Sequence, residues 1–129
     1  MCIRDSTSVM YDGSALPFEE NLKNTRLICK AAHAVGVSVE AELGSLAAGE
    51  HSHEGTPEDR EIYTDPDMAG EFAEETGADA LAVSIGTVHG QYKGTPCIRT
   101  DILKKINEAC GIPLVLHGGS GTPEATIRE

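Results

Sequence analysis

Positive charge is scarce in this sequence: 10 Lys and Arg stand against 21 Asp and Glu, a formal net charge of -11 at pH 7. Phosphate backbones and anionic membranes are bound by surplus Lys and Arg, so no nucleic-acid or membrane partner is expected. An anionic substrate would need local help from a metal ion, a lysine or a helix N-terminus. Cysteine motifs are missing as well. Cys2, Cys29, Cys97 and Cys110 show neither CxxC spacing nor dense clustering, so neither a zinc ribbon nor a disulfide scaffold is suggested, and a cytoplasmic location is the default. No apolar run approaches the roughly 18 residues of a membrane span. The opening "MCIRDS" lacks the apolar core of a signal peptide. It shares no periodic pattern with the rest of the chain, so residues 1–6 are read as a non-native leader and residues 7–129 as the domain.

What is present is an alternation of strand and helix signals. Residues 7–12, 37–43, 80–86 and 112–119 read as strands. Between them, residues 18–35 place Phe18, Leu22, Ile28, Cys29, Ala32 and Val35 at helical spacing before Gly36. Residues 64–77 carry cap residues Thr64 and Asp65, Pro66 near the first turn and Gly77 as the stop. Residues 100–111 follow the same capped grammar, and "TPEATIRE" opens a further helix. The fold class is α/β, with a parallel sheet and helices outside it. Half a TIM barrel and a small doubly wound sheet both satisfy this pattern. A long polar stretch, residues 44–63, exceeds the usual strand-to-helix loop and has the character of a lid.

Each strand ends in a residue able to bind a metal or move a proton: Asp12 in "YDGS", Glu42 in "AELGS", His89 in "GTVHG" and His117 in "LHGG". Carboxyl ends of parallel strands form the active face of such folds, so these four side chains could converge. Asp12 before Gly13 also reads as a plain turn residue. Glu42 shares its strand parity with Glu40, whereas Val37, Val39, Ala41 and Leu43 take the other face, and two carboxylates on a buried face want cations or hydrogen bonds. His89 and His117 each admit a structural reading; with the carboxylates they make a mixed N/O set suited to zinc, although a catalytic zinc usually has three protein ligands. His51 and His53 sit in the long polar loop and are read as solvated, and His33 near a helix end as exposed or dipole-favoured. Glu50 in the loop could serve as an acid or base. "HGQYKG" and "HGGSGTP" both follow a histidine with a turn that favours anions. In the second, Gly118, Gly119 and Gly121 permit close backbone approach and Ser120 adds a hydroxyl; in the first, Lys93 adds charge.

In this order "SVMYDGSALPFEEN", "GVSVEAELG", "GTVHGQYKG" and "PLVLHGGSG" resemble the class II, metal-dependent fructose-bisphosphate/tagatose-bisphosphate aldolases, over Thr7 to Glu129. The resemblance implies a partial TIM (β/α)8 barrel of about four consecutive βα units. It implies a Zn2+ held by His89 and His117, with Asp12 and Glu42 at a second or alternative metal position for another divalent or a monovalent cation. Gly90, Gly118, Gly119 and Ser120 match positions that hold dihydroxyacetone phosphate, and Glu50 matches a mobile-loop carboxylate implicated in proton transfer. The implied reaction is cleavage of a ketose 1,6-bisphosphate, fructose in preference to tagatose, into dihydroxyacetone phosphate and glyceraldehyde 3-phosphate, by a homo-oligomeric parent enzyme. The family's third zinc histidine, its proton-donor aspartate and an Asn-containing phosphate loop have no match here, so residues 1–129 alone are expected to be inactive; an inactive metal-binding barrel fragment is the alternative. The metal route has separate support. Schiff-base chemistry needs a lysine buried at a strand, and Lys23, Lys30, Lys104 and Lys105 fall on helix patterns, with Lys93 in a loop.

Overall fold

Local chemistry sets where each helix begins and ends. In the computed structural model, which describes residues 6–44, 63–87, 98–119, 122 and 124–128, the first helix, α1 (Phe18–His33), starts after Pro17 with Glu19 and Glu20 in its first turn. It closes with Lys30 and His33 in its last, so charges at both ends complement the helix dipole. In α2 (Pro66–Thr76) the Asp65 side chain accepts from the backbone N–H groups of Asp67 and Met68 at 2.9 and 3.1 Å, satisfying two donors that have no partner within the helix. Both α2 and α3 (Thr100–Cys110) stop on a glycine in the left-handed region, Gly77 and Gly111.

The strands are β1 (Ser8–Asp12), β2 (Ser38–Leu43), β3 (Ala80–Val83) and β4 (Leu114–Val115), and a short helix, α4 (Glu124–Ile127), follows the last. They pair in parallel in the order β1-β2-β3-β4. Right-handed crossovers that always step in one direction leave all helices on one face. A doubly wound sheet would reverse direction at a switch point, and the described strands show none. The chain is therefore an arc of a TIM barrel, four βα units long.

The core lies between sheet and helices. Val39, Ala41 and Leu43 of β2 and Leu81 and Val83 of β3 meet Cys29, Phe72 and Ile106 from α1, α2 and α3. Phe18 and Phe72 stack tilted, with ring centroids 5.9 Å apart.

Several expected boundaries shift. The first helix ends at His33, which leaves Val35 74% exposed instead of on the buried face. Its buried positions are Asn21, Thr25 and Cys29: two of the three are polar because Asn21 donates to the strand backbone at Glu42 and Thr25 in turn donates to Asn21. β3 stops at Val83 and β4 at Val115, shorter than the apolar runs around them. At α3 the cap is Arg99, whose side chain caps none of the first-turn N–H groups; its guanidinium donates instead to the Asp101 carboxylate in that turn, at 2.7 and 2.8 Å.

Candidate active site at the carboxyl ends of the strands

Alternation along a strand sends successive side chains to opposite faces. With Val39, Ala41 and Leu43 buried against the helices, Glu40 and Glu42 must point to the other face, which in a closed barrel is the interior. The register carries that face across the sheet: Met10 and Asp12 on β1 lie beside Glu40 and Glu42, and Ala80 and Ala82 on β3 lie beside them on the other side. Val115 follows opposite Ala82, so His117, two residues on, keeps the same parity.

His117 reaches back across β3 to both glutamates. Its Nε2 is 2.8 Å from Glu40 Oε1 and its Nδ1 3.1 Å from Glu42 Oε2. Strands two apart are separated by about 9.6 Å, and among the described residues the β3 side chains on this face are the methyl groups of Ala80 and Ala82. Ala82 is fully buried yet lies outside the core cluster, as a small residue beneath these side chains should. The three groups are partly shielded, with side-chain exposures of 27% for His117, 28% for Glu40 and 15% for Glu42. A neutral imidazole has one N–H and one lone pair. With carboxylates at both nitrogens, a neutral ring can donate to one of them, and its lone pair at the other leaves a place for a cation between that nitrogen and its carboxylate. Ligand atoms of a tetrahedral zinc with bonds of about 2.0–2.1 Å stand roughly 3.3 Å apart. The Nδ1 to Glu42 separation of 3.1 Å is close to that edge, so this N/O pair fits part of a divalent-cation site.

Asp12 ends β1 in a turn. Its Oδ1 accepts from the Ser14 N–H at 2.9 Å and the Ser14 hydroxyl at 2.6 Å, the local role that "DGS" indicates. Behind it Asn21, 1% exposed, donates from Nδ2 to the backbone carbonyl of Glu42 at 3.0 Å and accepts from the Thr25 hydroxyl at 3.1 Å. A methyl group at Gly13 would lie 2.1 Å from Asn21 Oδ1, so only glycine lets β1 pass this amide. Asn21 and Thr25 carry no metal-binding signature and do not stand out in the sequence; their four-residue spacing on an amphipathic helix is the one signal that could have marked them.

The long polar stretch is tied to the same face at both ends. Gly44 packs on Ser14, where a methyl would meet the Ser14 carbonyl at 3.1 Å. Thr64 inserts between strand ends: its hydroxyl donates to the Leu43 carbonyl at 3.1 Å and accepts from the Ser84 N–H at 2.9 Å. Glu50, His51, His53, His89, Gly90, Lys93 and Ser120 lie outside the described residues. Gly118 has a φ of 69°, and Gly119 accepts from the Thr122 N–H at 3.0 Å, so the chain turns directly after His117. His33 pairs through Nε2 with Asp79 at 2.7 Å. Lys23, Lys30, Lys104 and Lys105 are all exposed on helices, away from any site for an imine. An apolar cleft of about 170 Å³, lined by Val83, Leu103, Leu114 and Ile127 among others, includes neither His117 nor the glutamates.

A parallel βα sheet with imidazole and carboxylates gathered at its carboxyl ends, on the face the helices leave open, belongs to the TIM-barrel enzymes. Residues 2–129 match the family described as "Fructose-bisphosphate aldolase class-II". The chain belongs to that family. It is 46% identical over 123 residues to the fructose-bisphosphate aldolase of Staphylococcus aureus (strain Mu50), covering 95% of this chain and 42% of that protein. The Geobacillus stearothermophilus fructose-bisphosphate aldolase is 48% identical over the same coverage. In three dimensions the chain is similar to the YdjI aldolase from Escherichia coli K12, with a TM-score of 0.79 and 42% identity, covering 95% of this chain and 40% of that one. This chain thus spans about two fifths of these relatives' length. The class is generally zinc-dependent, and its substrates are sugar phosphates. Among the described residues no group of three or more His, Cys, Asp or Glu is arranged to hold a metal ion, and no helix is long and apolar enough to cross a membrane.

Proposed function

We propose that the protein carrying this chain is a cytoplasmic, metal-dependent aldolase that reversibly cleaves fructose 1,6-bisphosphate into dihydroxyacetone phosphate and glyceraldehyde 3-phosphate. The observation that carries the reading is the meeting of His117 and Glu42 across Ala82. The relatives at 46% and 48% identity, both named fructose-bisphosphate aldolase, favour the fructose over the tagatose substrate.

His117 and His89 would hold the zinc, with Glu42 and Asp12 at an adjoining or alternative cation position. A zinc ion bound there would supply electrophilic polarisation of the substrate's oxygens. The chain's own residues do the rest. Gly118 and Gly119 let backbone N–H groups approach the phosphate of the dihydroxyacetone half, Ser120 adds a hydroxyl, and Gly90 and Lys93 serve the same group. Glu50 exchanges a proton with the substrate from a segment whose two ends are held at the strand ends through Gly44 and Thr64.

The test is zinc content and fructose 1,6-bisphosphate cleavage in the full-length protein with His89→Ala or His117→Ala. Each substitution should abolish zinc retention and turnover. Full metal content with near-normal turnover in either variant would refute the assignment.

A further inference from the structure

Glu40 is neither a metal ligand nor a substrate contact in the proposed site, yet it makes the shorter of the two contacts to His117. Nε2 of the ring lies 2.8 Å from Glu40 Oε1, and Nδ1 lies 3.1 Å from Glu42 Oε2. Along β2 the two glutamates are two residues apart, about 6.6 Å, with Glu42 nearer the carboxyl end, where ligands bind. The ring therefore stands with Nδ1 toward the mouth and Nε2 toward the interior of the sheet face. A neutral imidazole can offer a lone pair at Nδ1 only if its proton is on Nε2. Glu40, at hydrogen-bond distance, is the group that would keep it there.

We propose that Glu40 is a positioning residue: its carboxylate accepts the Nε2–H of His117 and so fixes the tautomer and ring orientation that present Nδ1 to the metal beside Glu42. This rests on the reading of His117 as a zinc ligand. A carboxylate behind a metal-bound histidine both orients the ring and raises its basicity, and losing such a partner costs about 10–100-fold in metal affinity. Glu40 suits that role better than direct coordination. It meets the ring on the side away from Glu42, so a metal at Nδ1 is held from one side while Glu40 restrains the ring from the other. Its place is also secured by the fold: strand parity forces it to the open face, and Ala80 and Ala82 on β3 leave the path to His117 clear.

The experiment uses the full-length zinc enzyme with Glu40→Ala, Glu40→Gln and, as reference, His117→Ala. Zinc affinity is measured by chelator competition, and the imidazole protons of 15N-histidine-labelled protein by NMR. In the parent enzyme His117 should show an Nε2–H resonance protected from exchange with water. Glu40→Ala should lose that protection and bind zinc about 10–100-fold more weakly. Glu40→Gln, whose amide oxygen still accepts, should restore the protected proton and bind zinc within a few-fold of the parent; it also keeps the test decisive should the alanine variant fail to fold. An unchanged resonance and zinc affinity in Glu40→Ala would overturn the proposal. So would a complete loss of zinc in Glu40→Gln, which would make Glu40 a ligand. Undiminished zinc in His117→Ala would instead sink the underlying reading of the site.

Discussion

The side-chain amide of Asn21 donates to the backbone carbonyl of Glu42 at 3.0 Å, tying the first helix to the strand end that carries the site's most shielded carboxylate. Asn21 is itself held by the Thr25 hydroxyl and pressed by the backbone of Gly13. The position of Glu42 thus depends on residues with no chemistry of their own, and the contact can be broken without touching the site.

Gly13→Ala would place a methyl 2.1 Å from Asn21 Oδ1 and 2.9 Å from the Tyr11 ring. Neither neighbour is a loose surface chain end, so overpacking should cost about 1–3 kcal/mol. Thermal unfolding should show the loss, and zinc affinity should fall with it because the Asn21 contact to Glu42 is displaced. An unchanged melting temperature would mean that β1 can move aside freely.

Ala82→Val should disturb the site while sparing the core, since Ala82 is fully buried but outside the core cluster. The added methyls would rise between β2 and β4 into the path of His117. Zinc affinity should fall about tenfold or more, in the range for a ligand that loses its support. Wild-type affinity in a folded Ala82→Val protein would show that His117 takes another route to Glu42.

Glu50→Ala should lower kcat by about 100-fold or more, the usual scale for a general acid or base, and leave zinc in place. Steady-state kinetics with metal analysis decides this. A large effect of Glu54→Ala in place of Glu50→Ala would show that the loop register is wrong.

Asp79 supplies a pH prediction. The Val39 N–H at 2.7 Å, and then His33 at 2.7 Å, hold its carboxyl below the ordinary value of 3.8. A carboxyl depressed in the folded state adds stability that is present above its unfolded value and lost as pH falls through its folded one. The advantage of the parent over Asp79→Asn in urea unfolding should thus be full above about pH 4 and shrink below it. An advantage that is the same at pH 3 and pH 6 would mean that the charge of Asp79 contributes nothing.

Strand and helix alternation, the α/β class, the caps Asp65, Gly77 and Gly111, and the shared face of Glu40 and Glu42 were all readable in the chain. Each follows from chemistry acting within a few residues: a side chain bonding the next turn, a glycine accepting a left-handed conformation, a two-residue period along a strand. The motifs around Asp12, Glu42 and His117 likewise carried the family. Boundaries were less legible, because β3 and β4 end where their neighbours cease to pair with them and not where the apolar residues run out. The strand-helix pattern by itself left a barrel arc and a doubly wound sheet open, since they share one local pattern and differ only in the direction of successive crossovers; the family motifs pointed to the barrel, and the strand order agrees. The burial of Asn21 and Thr25, the bridging of Leu43 and Ser84 by Thr64, and the placing of His117 between two glutamates on a strand two positions away came from tertiary packing alone. Those contacts join residues from 4 to 77 positions apart, and most exist only because parallel pairing brings distant strand ends side by side.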